Sequence, residues 1–358
     1  MQRTLVATFI ALIGATAAAA EPDKVLHVYN WNDYIDPQVL ADFERESGIH
    51  VDYQTFSSSE ELKETLASGR SFDLIAPSND DLPELIRDGK LQMLDKARLP
   101  NSRHLDSVML NKLSAFDPKN RYAIPYLWGA VGLAINTPKA EAAFGGPLPK
   151  SWSVIFDPEQ SARLSACGIS MLDASVEVYT ILMNYRGRIL ADSARRQIEA
   201  AGQALQKIRP NIRQVDSEQY IDPLNKGELC VSLAWVGDAL AAASAGQPVE
   251  FVVPDEGSMM FVDTLVIPVN AANPGLAHEF LNYLMKPEVA AMITNETHYP
   301  NPNADSAVYL DENLRNLKGI TLDKETRRRL SLFPTLLGSI NAQVNAQWPQ
   351  FRDAPGAP

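Results

Sequence analysis

Apolar and polar positions change period in a regular order along the N-terminal part of the chain. The apolar run "KVLHVYNW" (24–31) predicts a strand, and "IHVDY" (49–53) alternates Ile49, Val51 and Tyr53 at the strand period of two. Between them Val39, Leu40 and Phe43 form the buried side of a helix. Asp36 stands at its N-cap, Pro37 in its first turn and Gly48 past its end. Ser58 and Glu61 have capping-box spacing ahead of "ELKETLASG", a second helix closed by Gly69. "FDLIAPS" (72–78) is a continuous apolar run with a polar end, as a buried parallel strand requires, and a helix from Leu82 to Asp88 follows. Strand and helix in alternation define an open α/β sheet. Ligands of such sheets gather at the carboxyl ends of the strands, where "YNWNDY" (29–34) and "PSND" (77–80) fall.

The middle of the chain reads differently. "YAIPYLWGAVGLAINT" (122–137) is long, apolar and broken by Pro125 and Gly129, the pattern of a segment crossing between two lobes. A second α/β block runs to Gln247, with helices over 176–185 and 192–207 and a buried strand "LCVSLAW" (229–235). "VEFVVP" and "DTLVIP" predict further strands, and "GLAHEFLNYLM" and "PEVAAMI" further helices. The tail "APGAP" has the composition of a disordered end.

Residues 1–20 stand outside this pattern. Arg3, an apolar centre from Leu5 to Ile13, and Ala18 and Ala20 at the end predict a signal peptide cleaved on export to the periplasm. The apolar centre is too short to span a bilayer. The remaining 338 of 358 residues suit two domains. Without Arg3, 31 basic residues face 44 acidic ones, a net charge of −13. That balance weighs against nucleic acid and membrane insertion, and mildly for cationic partners. Cys167 and Cys230 form an isolated pair, which in an exported protein predicts a disulfide, free thiols being the alternative.

No Gly-x-Ser-x-Gly, phosphate-cradling glycine loop or dinucleotide fingerprint is present. The five histidines stand singly, without metal-ligand spacing. The expectation is a binding protein, not an enzyme, with no metal and no cofactor. What recurs is an aromatic ring beside a carboxylate at an element end: Trp31 with Asp33 and Tyr34, Trp235 with Asp238, Phe261 with Asp263, and Glu177 with Tyr179. Each pair alone reads as a packed ring near a helix cap, Asp238 above all. Four of them, in both halves of the chain, point to a ligand. A methylene chain with an ammonium at each end needs a carboxylate at each end when it leaves water. Aromatic walls cover its middle and attract the cations, at roughly 0.5–2 kcal/mol each. A di- or polyamine pocket demands that combination.

On these residues the chain resembles the periplasmic polyamine-binding proteins of ABC transporters, most of all their putrescine-binding branch. "YNWNDYI", "FDLIAPS", "CGISMLDA", "RPNIR", "AWVGD" and "FLNYLMKPEVA" carry the likeness, which runs from about Leu26 to about Asn303. The resemblance implies a two-lobed periplasmic binding protein (type II) fold, each lobe an open mixed sheet flanked by helices. Residues 21–132 and 251–308 would form one lobe and 133–250 and 309–358 the other, with the ligand in the interlobe cleft. It further implies that Trp31 and Tyr34 wall the cleft, with Asp33 near one amine and Ser78 accepting a hydrogen bond. Glu177 and Asp238 bind an ammonium from the second lobe, and Trp235 stacks on the chain. Phe261 and Asp263 complete the aromatic box and the principal salt bridge, and Tyr299 lies at the cleft edge. The family's disulfide matches Cys167 and Cys230.

One departure stands out. After "PS" the family has a small polar residue and then an aromatic or aliphatic one, whereas this chain has Asn79, Asp80 and Asp81. Putrescine is the favoured ligand, but two added carboxylates at the rim suit a longer or more highly charged amine, such as spermidine, or agmatine; alternatively, one of them caps the helix from Leu82. The implied task is to capture the amine as a monomer and deliver it to an inner-membrane ABC permease. The alternative is an amine-sensing protein that docks a receptor or regulator.

Overall fold

The computed structural model describes residues 24–317, 319–320 and 324–357; the expected signal peptide lies outside the described residues. The strands are β1 (Val25–Trp31), β2 (His50–Phe56), β3 (Leu74–Ile75), β4 (Ala123–Asn136), β5 (Ile169–Met171), β6 (Gln214–Val215), β7 (Val231–Trp235), β8 (Val249–Val252), β9 (Ser258–Val266) and β10 (Leu330–Leu332). They line up as β2-β1-β3-β9-β4-β7-β5-β6, with β10 beside β9 and β8 beside β4. β1 runs parallel to β2 and β3, and β5 parallel to β6 and β7, while β9, β7 and β8 oppose β4. The result is two open mixed sheets joined through β4, each flanked by helices.

Local chemistry sets most boundaries. Asp36 accepts the Gln38 N–H at 2.7 Å and Gly48 turns left-handed at φ 68, so the helix Pro37–Ser47 starts and stops as its sequence demands. The Ser58 hydroxyl accepts the Glu61 N–H at 3.1 Å, but Glu61 answers Ser57 N at 2.8 Å rather than Ser58, displacing the box by one residue. The run 72–78 pairs as a ladder only at Leu74–Ile75. Pro77 has no N–H to give, and beyond it the chain keeps one isolated bridge, between Ser78 and Asp263. The helix expected from Asp192 begins at Arg195, because Leu190–Asp192 is a short 3-10 turn and the Gln197 side chain takes the Ala194 N–H.

β4 is the shared element. All fourteen of its residues are buried. Ala123–Ala130 pair with β9, with an irregularity between Pro125 and Leu127, and Val131–Ile135 then pair with β7. The packing changes at the same place. Leu26, Val28, Phe43, Leu127, Leu265 and Phe280 share one core, with a small satellite around Tyr29, Phe56 and Phe72. Leu133, Ile155, Tyr179, Leu233, Val262 and Phe351 belong to the other.

Cys167 and Cys230 are joined, with Cα atoms 5.7 Å apart, tying the turn before β5 to the start of its parallel neighbour β7. The bond closes a sequence separation of 63 residues, which in the chain-entropy picture contributes roughly 4 kcal/mol. The tail is not loose as its composition suggests: the Ala357 N–H donates to the Ile212 carbonyl at 2.9 Å, and Arg209 binds the Phe351 carbonyl at 2.9 Å. No helix of the described residues is long and apolar enough to cross a membrane.

Candidate functional site

Asp263 lies on β9 at the centre of the molecule and is 3 % exposed. The Tyr34 hydroxyl donates to its Oδ2 at 2.7 Å and the Ser78 hydroxyl to its Oδ1. Tyr34 is buried and held in place by the Tyr126 hydroxyl, which donates to its carbonyl at 2.6 Å. Burial pushes the Asp263 carboxyl up to about 6 even though both hydroxyls oppose the shift.

Asp238 is its counterpart in the other half. It stands in the first turn of the helix Val236–Ser244 but does not cap it; it accepts the hydroxyl of Tyr220 instead. Burial raises it too, to about 6. Among the described residues neither carboxylate has a lysine or arginine partner. A buried carboxylate left without a cation is costly, which is why both shift upward.

Aromatic rings fill the space between the two acids. Tyr299 stands edge-on to Tyr34 at 5.2 Å and tilts against Phe261 at 6.1 Å, and Phe261 meets Trp235 edge-on at 5.3 Å. Burial first, and then the charges of Asp238 and Asp263, raise the Tyr299 hydroxyl, so this ring is close to both acids. Two glycines make the packing possible. A Cβ on Gly237 would sit 2.4 Å from the Tyr299 ring, and one on Gly129 2.4 Å from the Phe261 ring.

The remaining candidates sit around this centre. Trp31 ends β1 with its ring 4.5 Å from Phe56, and its indole N–H is buried without a partner. Asp33 occupies the following turn at φ 52, exposed and outside the hydrogen-bonded set. Glu177 is half-buried in the first turn of the helix Ser175–Tyr185 and is raised by burial, then by Glu60 from the opposite half. Asp80 is raised to about 7 by burial, then by Asp81 and by Glu177. Neither acid after Asn79 caps the helix Leu82–Arg87. Asp81 holds the N-cap position in a helical conformation, which aims its carboxylate away from the first-turn N–H groups, and pairs with Lys63 at 2.7 Å.

The structure thus gathers Tyr34, Ser78, Trp235, Asp238, Phe261, Asp263 and Tyr299 into one cluster. Asp80 and Glu177 are in electrostatic reach of one another, although they come from different halves of the chain. Sequence reasoning missed Tyr126, Tyr220 and Lys63, for which no local pattern exists: each is recruited from a distant element. Gly237 lay in view inside "AWVGD", where a glycine in a helical first turn hints at a close neighbour.

A mixed α/β fold in two halves, with an acidic and aromatic cluster where they meet, is the build of a solute-binding protein. The chain belongs to the family of bacterial extracellular solute-binding proteins, which it matches over residues 38–316. It is 37 % identical over 358 residues to the putrescine-binding periplasmic protein SpuD of Pseudomonas aeruginosa (strain UCBPP-PA14), covering 98 % of each chain. It is 38 % identical over 337 residues to the putrescine-binding periplasmic protein PotF of Escherichia coli (strain K12), covering 91 % of this chain and 90 % of that one. Among solved structures it is similar to the spermidine/putrescine ABC transporter substrate-binding protein PotD of Streptococcus pneumoniae. That match has a TM-score of 0.80 and 26 % identity, over 92 % of this chain and 99 % of the other.

Proposed function

We propose that the protein captures a di- or polyamine, with putrescine favoured, in the cleft between its lobes and delivers it to an ABC permease. The observation that carries this reading is the pair of buried carboxylates, Asp238 and Asp263, each without a basic partner among the described residues and separated by the Tyr299, Phe261 and Trp235 rings. One ammonium meets each acid, and the methylene chain lies along the rings. Trp31 contributes its unpartnered N–H and its face, Ser78 and Tyr34 orient Asp263, and Glu177 and Asp80 draw the amine in at the rim. Asp33 acts from the surface, through its charge. The protein works in the periplasm, as a monomer that binds its ligand without turning it over; relatives named as putrescine-binding periplasmic proteins support the location and the binding role. No observation favours the sensing role.

The lobes are proposed as 21–132 with 251–308 and 133–250 with 309–358. The change of partners along β4 supports the first boundary, and the pairing of β8 with β4 argues that the second falls later, within β9. An amine bridging the lobes binds their closed arrangement better and shifts the population towards it. Calorimetric titration with putrescine, cadaverine, spermidine, spermine and agmatine tests the function. A micromolar response to at least one is expected, about −8 kcal/mol; no heat from any of them at millimolar concentration refutes the reading.

A further inference from the structure

The rim of the cleft holds more carboxylate than a diamine needs. Asp81 is 4 % exposed, and its two oxygens differ: Oδ1 takes the Lys63 ammonium at 2.7 Å, whereas Oδ2 is buried with no hydrogen-bond partner. Asp81 is near enough to Asp263 to raise its carboxyl, and to Asp80 to do the same. Glu177 reaches Asp80 from the other lobe, and Glu60, on the same helix as Lys63, reaches Glu177. These acids lie within electrostatic reach of one another about Asp263, and the ammonium of Lys63 stands among them at Asp81. That side chain is half exposed, on a flexible stem, so it is free to leave.

We propose that Lys63 acts as a resident third ammonium: it occupies an outer cation position at Asp81 and sets a preference for diamines over triamines. The proposal rests on the amine-binding reading above. A diamine is satisfied by Asp238 and Asp263 and leaves Lys63 in place. The third charge of a triamine arrives at Asp81, where it must displace Lys63 or lie beside a like charge. Discrimination of this kind comes from a repulsive element as much as from an attractive one. Departure of Lys63 vacates Oδ1 of Asp81 beside the unpartnered Oδ2, and the carboxylate then accepts the extra ammonium.

Calorimetric titration with putrescine and spermidine, on the wild type and three variants, tests this. Wild type binds putrescine more tightly. Lys63→Met keeps the apolar stem and shifts the affinity ratio towards spermidine by about tenfold. Lys63→Arg keeps the charge and gives a ratio close to that of wild type. Adding Asp81→Asn to Lys63→Met removes the partner of the third ammonium and cancels the shift. If wild type and Lys63→Met bind both amines with the same ratio, the proposal is overturned while the amine-binding reading stands. If wild type binds neither amine, both fall.

Discussion

Replacing Asp263 by asparagine moves stability and binding in opposite directions. The carboxyl is almost fully buried and its pKa is raised from 3.8 to about 6, burial outweighing the Ser78 and Tyr34 hydroxyls. Ionising such a group at neutral pH costs about 3 kcal/mol more than in water. Asparagine has the same shape; its oxygen accepts the Tyr34 hydroxyl and its amide donates to Ser78 Oγ. The ligand-free Asp263→Asn protein is therefore expected to be more stable than wild type at pH 7.5, by up to about 3 kcal/mol. It is also expected to lose about 2–5 kcal/mol of putrescine affinity, since one ammonium loses its carboxylate. The sign of the pH dependence follows from the raised value. The folded state holds its proton more tightly than the unfolded chain, so wild-type stability falls as pH rises through about 6, and the two proteins converge below about pH 4. Urea unfolding across that range, with calorimetric titration of putrescine at pH 7.5, measures both quantities. An Asp263→Asn protein that is less stable at pH 7.5 and binds putrescine undiminished refutes the reasoning.

The other carboxylate gives a matching expectation: putrescine affinity falls from pH 7.5 to pH 5 as Asp238 and Asp263 take up protons near 6, and a flat profile by calorimetry counts against ionic capture. Tyr220→Phe removes the hydroxyl that opposes the rise at Asp238, so the midpoint of that profile moves upward and affinity at pH 7.5 drops by about 1–3 kcal/mol. Gly237→Ala puts a methyl 2.4 Å from the Tyr299 ring, and displacing the ring is expected to weaken binding by about 1–3 kcal/mol while far-ultraviolet circular dichroism stays unchanged. Serine at both Cys167 and Cys230 lowers stability to urea by roughly 4 kcal/mol and leaves amine affinity near that of wild type, because the bond ties β5 to β7 away from the cluster.

What the sequence disclosed follows the range of the forces involved. Asp36, Pro37 and Gly48 act on their own turn, and that helix formed as read. β4 declared itself by an apolar run too long for an ordinary strand. Cap against ion pair at Asp81 was not legible, because Lys63 lies eighteen positions earlier and meets it only through the fold. The same holds for Tyr220, whose hydroxyl reaches Asp238 from a separate helix start. The pairs Trp235 with Asp238 and Phe261 with Asp263 were visible as patterns, but that one ring, Tyr299, comes close to both acids needed three dimensions.

Asp263 is carried by β9 opposite Leu127, next to the irregularity that follows Pro125, on the two-stranded ribbon that runs through the middle of the protein. Its donors Tyr34 and Ser78 ride on other elements. Twisting the ribbon re-aims the carboxylate relative to both hydroxyls, so bending and charge compensation are mechanically coupled. The strand pair that joins the halves therefore also carries the one charge that an ammonium would neutralise, so hinge and binding group are the same piece of backbone.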